Sequence, residues 1–392
     1  MNPVENPFAP GAGSPPPELA GREALLERAR IALLRLKAAR HAKSLMLLGL
    51  RGVGKTVLLN RIKTMAENEG YVTAFIEATE NKPLARLVIP ELRRILFALN
   101  AGQKVNAIAR RALGVLRSFI GSVKIKVDDV EFGLDIEPLK GEADSGDLEA
   151  DLSTLFAAVA EAARAKEKAV LILIDEVQYL KDEDLSALII AIHQITQRKL
   201  PLVLIGAGLP QLAGLAGNSK SYAERLFDYP NVGPLAGKDA VNALQEPIER
   251  EGASIDEDAL QKIMQITQGY PYFLQTWGYQ AWNTADQSPI TVEDVDNATP
   301  IAIQHLDEGF FRVRFDRLTP TERRYLRAMA ELGEGPHRSG DIAQLVGKEV
   351  QQAAPLRNGL LRKGMIYSPA HGDTAFTVPM FGAFLKRVMP EF

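Results

Sequence analysis

The sequence contains no cysteine. Disulfides, thiol catalysis and cysteine-ligated zinc are excluded together, and the composition suits a reducing cytosol. A charge surplus is lacking too: 46 Lys and Arg stand against 49 Asp and Glu, a formal net charge of −3. The whole molecule is therefore no polycation that gathers nucleic acid by bulk attraction. The first residues, MNPVENPFAPGAGSPPPELAG, have neither a basic start nor an apolar run and do not read as a signal peptide. The one long apolar stretch, 200–217, is broken by prolines and glycines. That argues for a short buried strand and a loop, not a membrane helix. A soluble, cytoplasmic protein is expected.

What is present is a chain of 392 residues, 46% hydrophobic and 24% charged, enough for two or three domains with a large core. Residues 1–17 carry six prolines and read as an extended arm. Short apolar runs at 44–48, 71–77, 169–174 and 202–205 alternate with helical patterns at 22–40, 55–69, 83–100, 104–120, 148–165 and 182–198. Strands alternating with helices predict an α/β fold with a parallel sheet flanked by helices. From Lys238 to about Asp316 the pattern is helical alone, a separate lid. The expected division is an arm at 1–17, an α/β core at 18–237, a helical lid at 238–317 and a C-terminal module at 318–392.

Gly49-Leu50-Arg51-Gly52-Val53-Gly54-Lys55-Thr56 satisfies G-x-x-x-x-G-K-[ST] between a predicted strand and a predicted helix that runs on through Val57. Glycines let the backbone curl around phosphates and aim its N–H groups at them, and the helix N-terminus adds partial positive charge. In such a loop Lys55 reaches the β- and γ-phosphates of ATP and the Thr56 hydroxyl ligates Mg²⁺. The run Leu171-Ile172-Leu173-Ile174-Asp175-Glu176 supplies the second half: an apolar strand carries Asp175 to the sheet edge to hold the Mg²⁺ shell. Glu176 then stands as general base for an attacking water. These are the residues of an ATPase.

The 120 residues between Lys55 and Asp175 exceed what one strand and two helices need. Residues 101–147 therefore read as an insertion with a basic helix (Lys104, Arg110, Arg111, Arg117) and a hairpin over 123–136. It is either a solvated decoration or an element that contacts a partner or DNA.

The segments PPELAGREALLERA (16–29), GLRGVGKT, LILIDEVQYL and SYAERLF (221–227) resemble the AAA+ ATPases related to the origin-recognition complex and the archaeal ATPases. Nearly the whole chain, from Asn6 to Pro390, resembles a widespread group of bacterial AAA-family ATPases. The resemblance implies that Leu19 to Glu23, with Gly21 and Arg22, packs near the adenine. It also implies that Arg225 is an arginine finger acting across a subunit boundary in an ATP-bound homo-oligomer; the plainer alternative is an ion pair on its own helix. Two departures stand out. The end of the fourth strand has Gly206-Ala207-Gly208 where the family often has a polar sensor. The lid has Gly269-Tyr270-Pro271-Tyr272-Phe273 where a sensor arginine is often found. The second pattern resembles the signal-transduction ATPases called STAND, in which the proline, here Pro271, approaches the base. Both departures favour a slow switch over a motor.

Residues 318–392 are net +3, against −6 for the remainder. Thr319-Pro320-Thr321-Glu322 is a capping box with proline at the first helical position. Ser339 caps a second helix over 340–346, a third covers 348–363, and strands at 365–368 and 375–378 follow. This is the order of a winged helix, and the resemblance implies the same. In such modules the third helix enters the major groove while the wing touches the backbone. The candidate DNA contacts are Arg338, Lys348, Gln351, Gln352, Arg357, Arg362 and Lys363, with Pro355 either bending the third helix or marking its start. His337 and His371 read as surface residues.

Three functions remain open at this stage. The first is an ATP-dependent switch that binds duplex DNA, in initiation, transposition control or defence. The second is a STAND-like signalling ATPase whose C-terminal module docks a protein partner and binds no DNA. The third, a metabolic NTPase, is disfavoured because no small-substrate site follows the nucleotide site.

Overall fold

The computed structural model describes residues 1–11, 16–100, 107–123 and 136–391. The chain forms two compact units, one of Ala24–Gly49 and Leu58–Asn231, the other of Met1–Glu23, Leu50–Val57 and Val232–Phe392.

The first unit is built on a parallel sheet of β1 (Ser44–Leu48), β2 (Val72–Glu77), β3 (Val170–Asp175), β4 (Leu202–Gly208) and the short β5 (Phe227–Asp228), in the order β2-β3-β4-β1-β5. A parallel sheet needs helical crossovers that cover it, so its strands read as unbroken apolar runs. Every residue of β3 and β4 is buried accordingly. The register pairs Leu48 with Gly208 and Glu77 with Asp175, so β1, β3 and β4 all end at one edge. β4 runs three residues beyond the predicted 202–205, because Gly206, Ala207 and Gly208 continue the pairing with β1.

Helix Ala107–Ser122 corrects both readings for the basic helix of the insertion. It packs against Leu84–Asn100 and Leu148–Arg164, and Leu113, Leu116, Phe119 and Ile120 lie in the main core cluster. Its arginines are used locally. Arg111 pairs with Glu142 and Glu161, and Arg117 donates to the Ile136 carbonyl. The helix is thus core rather than decoration or a free contact element. Lys104 and the hairpin expected over 123–136 fall largely on 101–106 and 124–135, outside the described residues.

In the second unit the first eleven residues are docked. Pro3–Glu5 makes a short 3₁₀ turn, Asn6 Nδ2 donates to Tyr279 O and Asn283 Oδ1, and Phe8 is buried with its ring against Gly278. A Cβ at Gly278 would lie 2.8 Å from that ring, so the glycine admits the phenylalanine. The helical run expected from Lys238 is present as Gly237–Arg250, Glu257–Thr267, Pro271–Thr284 and Val292–His305. It passes into a π-helical turn, Leu306–Phe311, and helix Arg312–Asp316.

Beyond it come helices Pro320–Glu331, Ser339–Val346, Val350–Arg362 and Phe381–Val388, with an antiparallel sheet of β6 (His337–Arg338), β7 (Ile366–Tyr367) and β8 (Asp373–Phe376) in the order β6-β8-β7. The capping box at Thr319 and Glu322 forms as expected. Ser339 is not a cap. It is the first helical residue, and its Oγ donates to Gly372 O, because the preceding Arg338 already stands at the cap position. The third helix begins five residues before Pro355 and runs past it, so the proline neither starts nor ends it.

Phe119 decides between core and decoration. Phe119→Ala should cost about 3–5 kcal/mol in chemical denaturation, as large core truncations do. A loss below about 1 kcal/mol would return helix Ala107–Ser122 to the surface.

Candidate functional site

β1 delivers the chain to Gly49, which is buried and donates its N–H to Gly208 O at 3.0 Å. The loop that follows needs its glycines. Gly52 and Gly54 adopt φ +82° and +91°, the left-handed region that other residues enter at about 1–2 kcal/mol. A Cβ at Gly52 would also lie 2.9 Å from the Tyr270 ring, whereas one at Gly54 would meet nothing within 4 Å. Helix Lys55–Asn68 starts immediately afterwards. Lys55 is buried, and its Nζ donates to Leu50 O at 2.7 Å, so the ammonium is curled within its own loop. Arg51, Thr56 and Val57 are half-buried.

Arg22 has a definite structural task. Its buried guanidinium donates to Val53 O at 3.1 Å and to Gly233 O at 2.6 Å. Burial pulls its pKa below the usual arginine value, against the opposing pull of Asp239 and Glu23. Gly21 precedes it at φ +66°, where a Cβ would come 2.7 Å from an Asp239 carboxylate oxygen. Pro271 opens helix Pro271–Thr284 at its first position, and the next N–H, of Tyr272, donates to Gly52 O at 3.2 Å. Gly269 allows the approach: at φ +69°, its carbonyl accepts from Leu235 N at 2.8 Å, and a Cβ would fall 1.9 Å from Leu235 O.

Arg22, Val53, Gly54, Val57 and Pro271 line one narrow pocket together with Leu19, Leu235 and Leu274. The sequence reading missed Gln275 in its wall. Gln275 is 8% exposed, and its Oε1 is buried without a hydrogen-bond partner. Only its spacing of one helical turn from Pro271 could have pointed to it.

In the sheet unit Asp175 ends β3, is 4% exposed and accepts from Glu176 N at 2.8 Å. Glu176 sits at φ +54°, a left-handed conformation that a non-glycine residue adopts where surrounding structure imposes it. Its carboxylate accepts from Gln178 Nε2, a second residue the sequence reading passed over. Arg225 lies on the four-residue helix Ala223–Leu226, exposed, and makes no ion pair with any described residue.

The C-terminal candidates divide. Arg357 is half-buried and donates to Thr374 Oγ1, Ser368 Oγ and Asp373 O, tying its helix to β8. Lys363 donates to Glu322 Oε2 and Arg317 O. Gln352 caps its own helix by accepting from Glu349 N. Arg357 and Lys363, both half-buried, thus tie their helix to its neighbours, whereas Gln352 is exposed. Lys348, Gln351 and Arg362 are exposed, as is Arg338, which pairs with Asp373. His337 bonds Gly333 O and His371 is exposed.

Residues 18–205 match the family model described as AAA ATPase domain, and residues 308–385 match one described as a domain of unknown function. Together with the loop and the parallel sheet, this gives residues 18–205 an AAA ATPase domain on a P-loop NTPase fold. Among solved structures it is similar to the Walker-type ATPase PABY2304 of Pyrococcus abyssi, at 16% identity and TM-score 0.57, over 94% of this chain and 96% of that one. ORC1 of Aeropyrum pernix, in a complex with DNA, matches at 14% identity and TM-score 0.48, over 98% of this chain and 96% of its own. Cdc6p of Pyrobaculum aerophilum matches at 15% identity and TM-score 0.47, over 100% and 98%. At 16% identity the likeness to the Pyrococcus abyssi protein is one of fold alone. No match is found among curated proteins. No helix among the described residues is long and apolar enough to cross a membrane.

Gly52→Ala tests the loop. It should weaken MgATP binding about tenfold, the equivalent of 1–2 kcal/mol of left-handed strain, with far-UV circular dichroism unchanged. Wild-type affinity in calorimetry would show that the loop shape does not matter.

Proposed function

We propose that the chain is a slowly hydrolysing ATP switch that transmits its nucleotide state to a DNA-binding winged helix. The observation that carries this is a run of contacts from the phosphate loop to the wing. Tyr272 bonds Gly52 through its N–H, and its ring stacks on Phe310 at 4.6 Å. Phe310 meets Phe311 at 5.3 Å, Phe311 meets Phe384 at 5.3 Å and Phe381 at 5.8 Å, and Phe381 meets Phe376 of β8 at 5.8 Å. Phe310 and Phe311 lie in the π-helical turn, a backbone irregularity often found at functional sites.

At the nucleotide, Lys55 would exchange the Leu50 carbonyl for phosphate oxygens. The loop fits a triphosphate: two left-handed glycines precede a helix N-terminus, and the space over Gly54 is open. Thr56 and Asp175 would hold Mg²⁺, which neutralises charge on the β- and γ-phosphates. Glu176 takes the proton of the attacking water. Gln275 Oε1 accepts from the exocyclic amine of adenine, which gives its orphaned acceptor a partner. Turnover is slow because Gly206-Ala207-Gly208 presents no polar side chain to the γ-phosphate, and the Gln178 amide beside it is engaged by Glu176 and Leu209. Arg225, exposed and without an ion pair among the described residues, is the finger offered to a neighbouring subunit in the ATP-bound oligomer.

Helix, strand, helix, helix and two strands from Pro320 to Phe376 follow winged-helix order. On Val350–Arg362 the exposed residues Gln351, Pro355, Asn358 and Arg362 fall at four- and three-residue spacing, one face of the helix. Amide and guanidinium groups are those that read base edges. Protein docking without DNA is the second reading, favoured by the exposed Leu345 near the end of helix Ser339–Val346 and Val350 at the start of the next.

Lys55→Ala should lose MgATP affinity, whereas Glu176→Gln should keep it and stop hydrolysis; normal turnover by Glu176→Gln removes that residue from the base role. Duplex affinity should fall linearly with log salt, and Lys348→Ala or Arg362→Ala should each lower the slope by about 1. Duplex binding that is absent at low salt leaves the docking reading. Phe310→Ala should keep nucleotide binding but abolish the dependence of duplex affinity on nucleotide; unchanged dependence would sink the aromatic route.

A further inference from the structure

We infer that Gln178 is the positioning residue for the Glu176 carboxylate, and that it occupies the place of the polar side chain missing from the end of β4. The inference rests on the reading of Glu176 as general base. Gln178 lies on the short 3₁₀ turn Val177–Tyr179, directly after β3, and is half-buried. Its Oε1 accepts from Leu209 N at 3.0 Å, and its Nε2 donates to Glu176 Oε2. The orientation of the amide is not in question. A backbone N–H can only donate and an ionised carboxylate can only accept, so only one of the two amide placements satisfies both ends.

The glycines at the end of β4 follow from this arrangement. A Cβ at Gly208 would lie 2.7 Å from Gln178 Oε1 and 2.8 Å from Leu212 Cδ2. At Gly206 it would lie 2.5 Å from Met46 Sδ and 3.0 Å from Val177 Cγ2. Gly206 and Gly208 carry no side chain because Met46, Leu212 and the turn after β3 already fill the space, and Gln178 brings the amide that these two positions cannot present. One carboxylate oxygen of Glu176 is held, leaving the other to accept from water. A base oriented by a third group is the general arrangement for an activated nucleophile.

The arrangement also gives Glu176 a reason to follow the phosphate loop. Gly49, the first loop residue, donates to Gly208 O; the next residue, Leu209, donates to Gln178; Gln178 donates to Glu176. A shift of the β4 end on nucleotide binding is thereby passed to the carboxylate through two hydrogen bonds.

The test measures steady-state hydrolysis by the full-length protein, with affinity for a non-hydrolysable ATP analogue from calorimetry and the unfolding midpoint as controls. Gln178→Ala should lower kcat about 10- to 100-fold, the cost of a misplaced catalytic group, with KM and analogue affinity within about twofold. Gln178→Glu keeps the acceptor for Leu209 N–H but sets carboxylate against carboxylate, and should lower kcat as far. Gly208→Ala should reproduce the loss by displacing the amide, and combining it with Gln178→Ala should cost no more than either change alone. If Gly208→Ala does not fold, the two Gln178 variants decide. A kcat within twofold of wild type for Gln178→Ala, beside an inactive Glu176→Gln, overturns the inference and leaves the base role standing. A loss confined to KM, or additive losses in the double variant, overturns it too. Normal hydrolysis by Glu176→Gln removes the base reading beneath it.

Discussion

The buried guanidinium of Arg22, shared between the carbonyls of Val53 and Gly233, is the interaction on which the nucleotide end of the molecule depends. A phosphate-binding loop presents N–H groups inward, which turns its carbonyls outward and leaves them in need of donors. Arg22 satisfies one and Tyr272 N–H another, at Gly52. Burial works against the charge on Arg22, and the neighbouring Asp239 and Glu23 offset that cost. The loop is thus shaped from outside by segments far along the chain, and the same segments wall the pocket that holds Pro271 and Gln275.

From this anchorage runs the aromatic path on which the proposed switch rests. The Tyr272 backbone touches the loop while its ring belongs to an aromatic cluster that continues through the π-helical turn into the C-terminal helices. Close-packed rings have few intermediate arrangements, which is the physical basis of that proposal. Arg314 lies 3.9 Å over Phe310, and Arg323 4.2 Å over Phe315, which adds directional contacts to an otherwise apolar joint. Arg387 pairs with Asp307 beside it.

The parallel sheet, the phosphate loop and the acidic strand end were legible because each depends on local pattern. An apolar run between turn residues makes a buried strand, and two glycines before a lysine make a loop that only those residues allow. The insertion was misread for a physical reason. Arg110, Arg111 and Arg117 drew attention to charge, whereas Leu113, Leu116 and Phe119 on the opposite face make that helix part of the core. Arg357 and Lys363 were taken as contacts for DNA for a similar reason. A cation shows its charge in the sequence, but not the oxygens of Thr374, Ser368 or Glu322 that engage it.

What the sequence determined by itself is chemistry that travels with adjacent residues: the loop from Gly49 to Thr56, the carboxylates at Asp175 and Glu176, and the cap at Thr319. Tertiary structure alone decided which distant groups complete them. Strand order, the partners of Arg22, the orphaned acceptor of Gln275 and the amide that Gln178 extends to Leu209 all join positions whose separation along the chain carries no signal. Such contacts depend on how closely two backbones approach, and Gly52, Gly208 and Gly269 mark where a single Cβ would have prevented it.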